Sequence, residues 1–267
     1  MKKPIVLSII ALVALVGGIV VAKKLISPKS TVVTTKQEEV VLPVNVIPVE
    51  ERPFVTLTPD ASGRNLALGI NNFKSTSSTV DYELVYQTSE GDEGAFGRMN
   101  LATETQPISK QLLLGSRSAG GATTFYNGVT GGAIALTWGE TKVKESFNFI
   151  RFNPTDPTII SVDGRLTYTL TAKALKKDDV IVTMKTSGYP ASLPTPTAKL
   201  LAGPYAILTP TTPKGVVTLS VQLPSGTHTN PTIYEFVSGK WAKLKTTLKG
   251  DTVTATPTTN IFIVTEE

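Results

Sequence analysis

Cysteine is absent from all 267 residues, so no disulfide, thiolate metal site or cysteine nucleophile can form, and packing must hold the fold. Histidine occurs once, at His228, too few for the usual zinc site. Charged residues are scarce at 18%, and Thr and Ser fill the deficit, as in β-structure with uncharged polar outer faces. The apolar fraction of 40% supports packed cores rather than disorder. A net charge of +5 suits acidic polymers or headgroups, but the lysines are dispersed and no nucleic-acid motif is present. Nucleic acid is therefore not an expected partner, and no cofactor is expected either.

One long apolar run is present. Residues 4–22 hold no charge over 19 positions, which at helical rise spans about 28 Å, close to the hydrocarbon core of a bilayer. Lys2 and Lys3 precede it and Lys23, Lys24 and Lys29 follow, so the lysine balance does not set a topology. Residues 1–26 are expected to be a membrane anchor, because the run exceeds the roughly 7–15 residues of a signal-peptide core. Cleavage after Val20-Val21-Ala22, giving a secreted protein, is the alternative. Ala14, Gly18 and Ala22 have the spacing that lets spanning helices approach closely, a spacing common in apolar helices. Residues 27–52, with Pro28, Pro43 and Pro48, read as an extended stalk reaching up to roughly 80 Å. The expected location is a single-pass cell-membrane protein with its C-terminal part extracytoplasmic.

Past the stalk the hydrophobic period is two. Val80, Tyr82, Leu84 and Tyr86 alternate with polar residues, as do Leu66, Leu68 and Ile70, and Ile134, Leu136 and Trp138. Turns between them predict a first antiparallel β-sandwich over 53–153 with about seven strands. Asn153-Pro154 and Asp156-Pro157 mark a boundary, and 158–267 predicts a second sandwich. Here Leu166, Tyr168 and Leu170, then Val180, Val182 and Met184, then Val217, Leu219, Val221 and Leu223 alternate. The prolines between 190 and 213 argue for loops, edges and crossings rather than central strands. Gly-containing turns at Ser238-Gly239 and Gly250-Asp251 predict two hairpins. The fold class is thus all-β, two tandem sandwiches behind one transmembrane helix.

The run Ile233-Tyr234-Glu235-Phe236-Val237-Ser238-Gly239-Lys240-Trp241, with Leu244, the strand Thr252-Val253-Thr254-Ala255 and a closing Phe262-Ile263-Val264, resembles ZU5-like β-sandwich modules of bacterial surface proteins. The first sandwich is similar in general pattern to fibronectin-III and immunoglobulin-like domains, without the paired cysteines of antibody domains. The resemblance implies a spacer, adhesive unit or interaction domain and no catalytic residue.

Each candidate for chemistry has a plainer reading. His228 lies in a polar loop before a strand and reads as a loop histidine. Glu90, Asp92 and Glu93, in the loop 89–94, offer oxygens to calcium but lack EF-hand spacing, so a solvated hairpin loop is expected. Residues 115–121 lack the Lys-Ser/Thr ending of a phosphate loop and read as a turn. Trp241, Lys243 and Lys245 on one strand face, with Lys240 and Lys249 nearby, would grip a glycan or anionic polymer; the plainer reading makes Trp241 core and the lysines a protective wet edge. Catalytic, cofactor and metal residues are expected to be none. The expected role is structural or adhesive, with another surface protein as partner. The alternatives are a module binding carbohydrate or cell-wall polymer, which a surface row of Trp and Tyr would favour, and an accessory subunit of a secretion or pilus-like machine.

Overall fold

Period-two patterning builds nineteen strands and no α-helix among the residues described by this computed structural model, 42–215 and 218–266. The expected anchor and the stalk as far as residue 41 lie outside those residues, and among the described residues no helix is long and apolar enough to cross a membrane.

In chain order, β1 (Phe54–Pro59) and β2 (Asn65–Asn71) form a hairpin, and β3 (Thr79–Thr88) and β4 (Gly91–Asn100) a longer one. β5 (Ile108–Leu113) pairs with β2, β6 (Gly115–Arg117) with β7 (Thr123–Phe125), and β8 (Gly131–Trp138) with β9 (Thr141–Arg151). Then come β10 (Thr158–Ile160), β11 (Leu166–Thr169), β12 (Val180–Lys185) and β13 (Lys199–Leu208). The last part holds β14 (Thr218–Gln222), β15 (Thr232–Val237), β16 (Lys240–Lys243), β17 (Thr247–Lys249), β18 (Thr252–Ala255) and β19 (Ile261–Glu266).

Nine strands make one antiparallel sheet in the order β16-β15-β19-β13-β12-β9-β8-β3-β4. The sheet β1-β2-β5 packs on one of its faces, where Leu57, Leu68 and Ile108 meet Leu84, Ile134 and Phe147. The sheet β10-β11-β14-β18-β17 packs on the other, where Leu166, Leu219 and Val253 meet Tyr205, Ile233 and Phe262. The central strands serve both cores: Val180, Val182 and Met184 of β12 face the first, and Ile181 faces the second. A strand buried on both faces needs a nearly continuous apolar run, and Val180-Ile181-Val182 supplies it.

One sequence expectation meets a different outcome in detail. The proline-rich passage contains a central strand, since β13 pairs with β12 on one side and β19 on the other. Pro204 is tolerated there because the β13-β19 register slips between Ala202 and Tyr205, which removes the need for a ladder donor. The segment 153–157 joins two parts of the same sheet: β9 before it pairs with β12 after it, from Val180 opposite Arg151 to Met184 opposite Phe147.

Val44 and Asn45, near the end of the expected stalk, lie against the first half of β9, which β12 does not reach. Val44 bridges Lys142 in parallel, Asn45 N–H donates to Lys142 O at 2.9 Å, and Asn45 Nδ2 donates to Lys144 O at 2.9 Å. The Ser238-Gly239 hairpin forms as the sequence predicts, with φ of 49° and 84° at its two central residues, where glycine carries no steric penalty.

Candidate binding groove

A groove of about 740 Å³ opens between the short 3-10 turn Val49–Glu51, the end of β2, and the loop that follows β12. Such a volume suits a small ligand or a short stretch of polymer. Three contacts hold its walls together. Asn72, at a left-handed φ of 55°, donates from Nδ2 to Tyr189 O at 3.0 Å and to Pro190 O at 2.8 Å. Ser187 Oγ donates to Pro53 O. Gly188 lets the loop press on the chain entering β1, since a Cβ there would lie 2.0 Å from Arg52 O.

The lining mixes one carboxylate, Glu50, with two cations, Arg52 and Lys74. Lys74 Nζ donates to Glu50 O at 3.0 Å, and Arg52 donates to Ile47 O and Asn45 O, both at 2.7 Å. These bonds fix the cations in place without neutralising them. The apolar wall includes Tyr189 and Leu193; Tyr189 is 8% exposed and packs with Tyr234 and Ile263. Burial pushes the Tyr189 phenol above its usual range, Glu50 adds to this, and Arg52 opposes it. Thr195 also lines the groove, with its Oγ1 buried inside the wall and without a hydrogen-bond partner among the described residues. Sequence reasoning missed this site because its residues come from three distant stretches, and none has a local signature.

The residues that the sequence singles out do not converge. The turn of the β3-β4 hairpin is only Ser89-Glu90, and Asp92 and Glu93 belong to β4, opposite Gln87 and Tyr86. Neighbouring strand residues point to opposite faces, so those carboxylates diverge. Among the described residues no group of three His, Cys, Asp or Glu is placed to hold a metal ion. Residues 115–121 form strand β6 and its turn, with Gly121 N–H donating to Ser118 O at 2.9 Å. His228 is pinned rather than free: Nε2 lies 2.7 Å from Pro224 O, Nδ1 lies 3.6 Å from Glu266 Oε2, and the side chain is 9% exposed. Lys199, first among its partners, holds the Glu266 carboxyl below its usual range. Another polar concentration joins Ser161, Asp163, Lys185 and Tyr205. Asp163 accepts from Ser161 Oγ at 2.6 Å and Tyr205 Oη at 2.9 Å, and Lys185 Nζ lies 3.2 Å away, so its bonds close on themselves as a turn brace.

Trp241 is half-buried at the rim of the Tyr189 cluster. It stands across the ladder from Phe236, ring centroids 5.3 Å apart and edge to face, and its indole N–H donates to Ala191 O at 3.4 Å. Lys243 shares its face opposite Tyr234, but Lys249 belongs to β17 in the five-stranded sheet. Trp241→Ala is expected to cost about 1–2 kcal/mol, less than the loss of a fully buried aromatic. A thermal midpoint lowered by a few degrees would show this; an unchanged midpoint would return Trp241 to the surface.

Comparison with protein families, characterised proteins and solved structures finds no match for this chain. The ZU5-like resemblance therefore rests on the residues quoted for it.

Proposed function

We propose that this chain is a membrane-anchored, extracytoplasmic surface protein with a structural or adhesive role and no catalytic step. The uncharged run of residues 4–22 supports the anchor, and the β cargo behind it supports an outside location. One observation carries the structural reading: Trp138 and most of the tyrosine rings, which could stack on sugars, are sunk. Trp138, Tyr86, Tyr168, Tyr205 and Tyr234 are all core residues, and Trp241 leans on Phe236. A sugar platform needs such rings flat on the surface. The partner in this reading is another surface protein.

A second reading, binding of a glycan or cell-wall polymer, is favoured by the groove, whose lining includes the cations Arg52 and Lys74. Purified full-length chain in detergent, screened against glycans and isolated wall polymers, separates the two. The structural role predicts no saturable binding, together with increased adhesion of cells that display the chain. Saturable binding abolished by Arg52→Ala with Lys74→Ala would replace it with the second reading.

A further inference from the structure

β4 is the terminal strand at one end of the nine-stranded sheet and is ten residues long. Among the described residues nothing outside β3 hydrogen-bonds its backbone between 92 and 98. The opposite end of that sheet, β16, is four residues long and carries Lys240 and Lys243, and the ends of the five-stranded sheet, β10 and β17, are three residues each. Short, charged ends discourage strand addition, whereas a long free edge is a template for it.

The solvent face of β4 presents Asp92, Gly94, Phe96 and Arg98, all exposed, opposite Gln87, Val85, Glu83 and Asp81 of β3. Phe96 is 83% exposed, the most exposed large apolar side chain among the described residues. Arg98 is fixed at this edge by Asp81, with Nε to Oδ1 at 2.6 Å and Nη2 to Oδ2 at 2.9 Å. That leaves part of its donor fork unspent. Because the β3-β4 hairpin closes over two residues, the hydrogen-bonded pairs with β3 fall on the odd-numbered residues of β4. The even-numbered ones turn N–H and C=O to the free edge.

We infer that β4 pairs antiparallel with β4 of a second copy of this chain, about a two-fold axis at Ala95. Residues on one face must oppose residues on the same face, which restricts the register to steps of two. With the axis at Ala95, Asp92 stands opposite Arg98 of the second copy, and Gly94 opposite Phe96, each twice by symmetry. The exposed ring then lies over a residue with no side chain, and each cross-strand pair at the rim joins opposite charges. An axis at Phe96 would set the two rings against each other, put Arg98 opposite Gly94 and leave Asp92 facing Asn100. Charge complementarity along the edge therefore selects the first register and a second copy as the occupant, in an isologous contact that continues the sheet across both molecules.

The natural absence of cysteine makes the test clean. Full-length chain in membranes, with a single cysteine introduced as Ala95→Cys, Phe96→Cys or Lys240→Cys, is oxidised and run on a non-reducing gel. Residue 95 faces itself in a non-hydrogen-bonded pair, with Cα atoms about 4.5 Å apart, within disulfide reach. Ala95→Cys should give the dimer, and Phe96→Cys and Lys240→Cys far less. Adding Asp92→Arg, an exposed change outside either core, should weaken the Ala95→Cys cross-link roughly tenfold by setting like charges opposite each other. A cross-link at residue 96 in place of 95, yields at 95 no greater than at 240, or indifference to Asp92→Arg would each overturn the pairing.

Discussion

Splitting the chain at residue 157 is expected to leave neither piece cooperatively folded. The ladder between β9 and β12 crosses the cut, and the first core takes Val180, Val182, Met184, Ala206 and Leu208 from beyond it. Those five side chains are together worth roughly 10 kcal/mol of burial. A whole domain is stable by only about 5–15 kcal/mol, so residues 42–157 alone lose most of their margin. Residues 158–267 fare no better, because β12 keeps its Ile181 face but exposes the Val180, Val182 and Met184 face. Each piece should bind a dye for exposed apolar surface and lack a sigmoidal melt, and mixing the pieces should restore one. Two independent cooperative transitions would instead support the division that the breaker residues suggest.

The second large effect concerns pH. Glu145 projects from β9, opposite Ile134, between Val143 and Phe147 of the first core. Burial pushes its carboxyl from the ordinary 4.5 up to about 7, although Arg52, Lys185 and the Asn45 Nδ2 bond at 3.4 Å all favour the charged form. A carboxyl whose folded pKa is raised binds more protons when folded than when unfolded, so stability falls as pH rises from about 4.5 to 7. The full penalty, on the order of 3 kcal/mol, is present above that window. Asp60, Asp81 and Asp163 are shifted the opposite way, below their ordinary 3.8, and their contributions are lost only as pH falls below that value. The protein should therefore resist urea best near pH 5 and distinctly less at pH 8. Glu145→Gln should flatten that slope and raise stability at pH 8; an unchanged slope in the variant would remove Glu145 as its cause.

Much of the architecture was legible in the residues. Alternation at 66–70, 80–86, 134–138 and 166–170 marks real strands, and Ser238-Gly239 a real hairpin, because each has one wet face or a turn whose backbone demands its residues. The alternation of Val180, Val182 and Met184 marks β12 as a strand, but Ile181 between them becomes informative only when a second sheet covers it. β13 was lost behind its neighbouring prolines, because the register slip that accommodates Pro204 is a property of its pairing with β19. Asn72, Arg52 and Tyr189 form the groove through loop contacts over long sequence separations, and such contacts leave no periodic trace. The exposure of Phe96 was equally invisible, because period-two patterning says that a side chain alternates and not which face a partner sheet will cover.

The claim at the centre of this account is that the β body stands outside the cell, held by the run at 4–22. Protease added to intact cells producing the full chain with a C-terminal tag measures it directly. The account predicts that the tag is lost from intact cells while an N-terminal fragment stays with the membrane fraction. A tag that survives on intact cells and disappears only after lysis would contradict it.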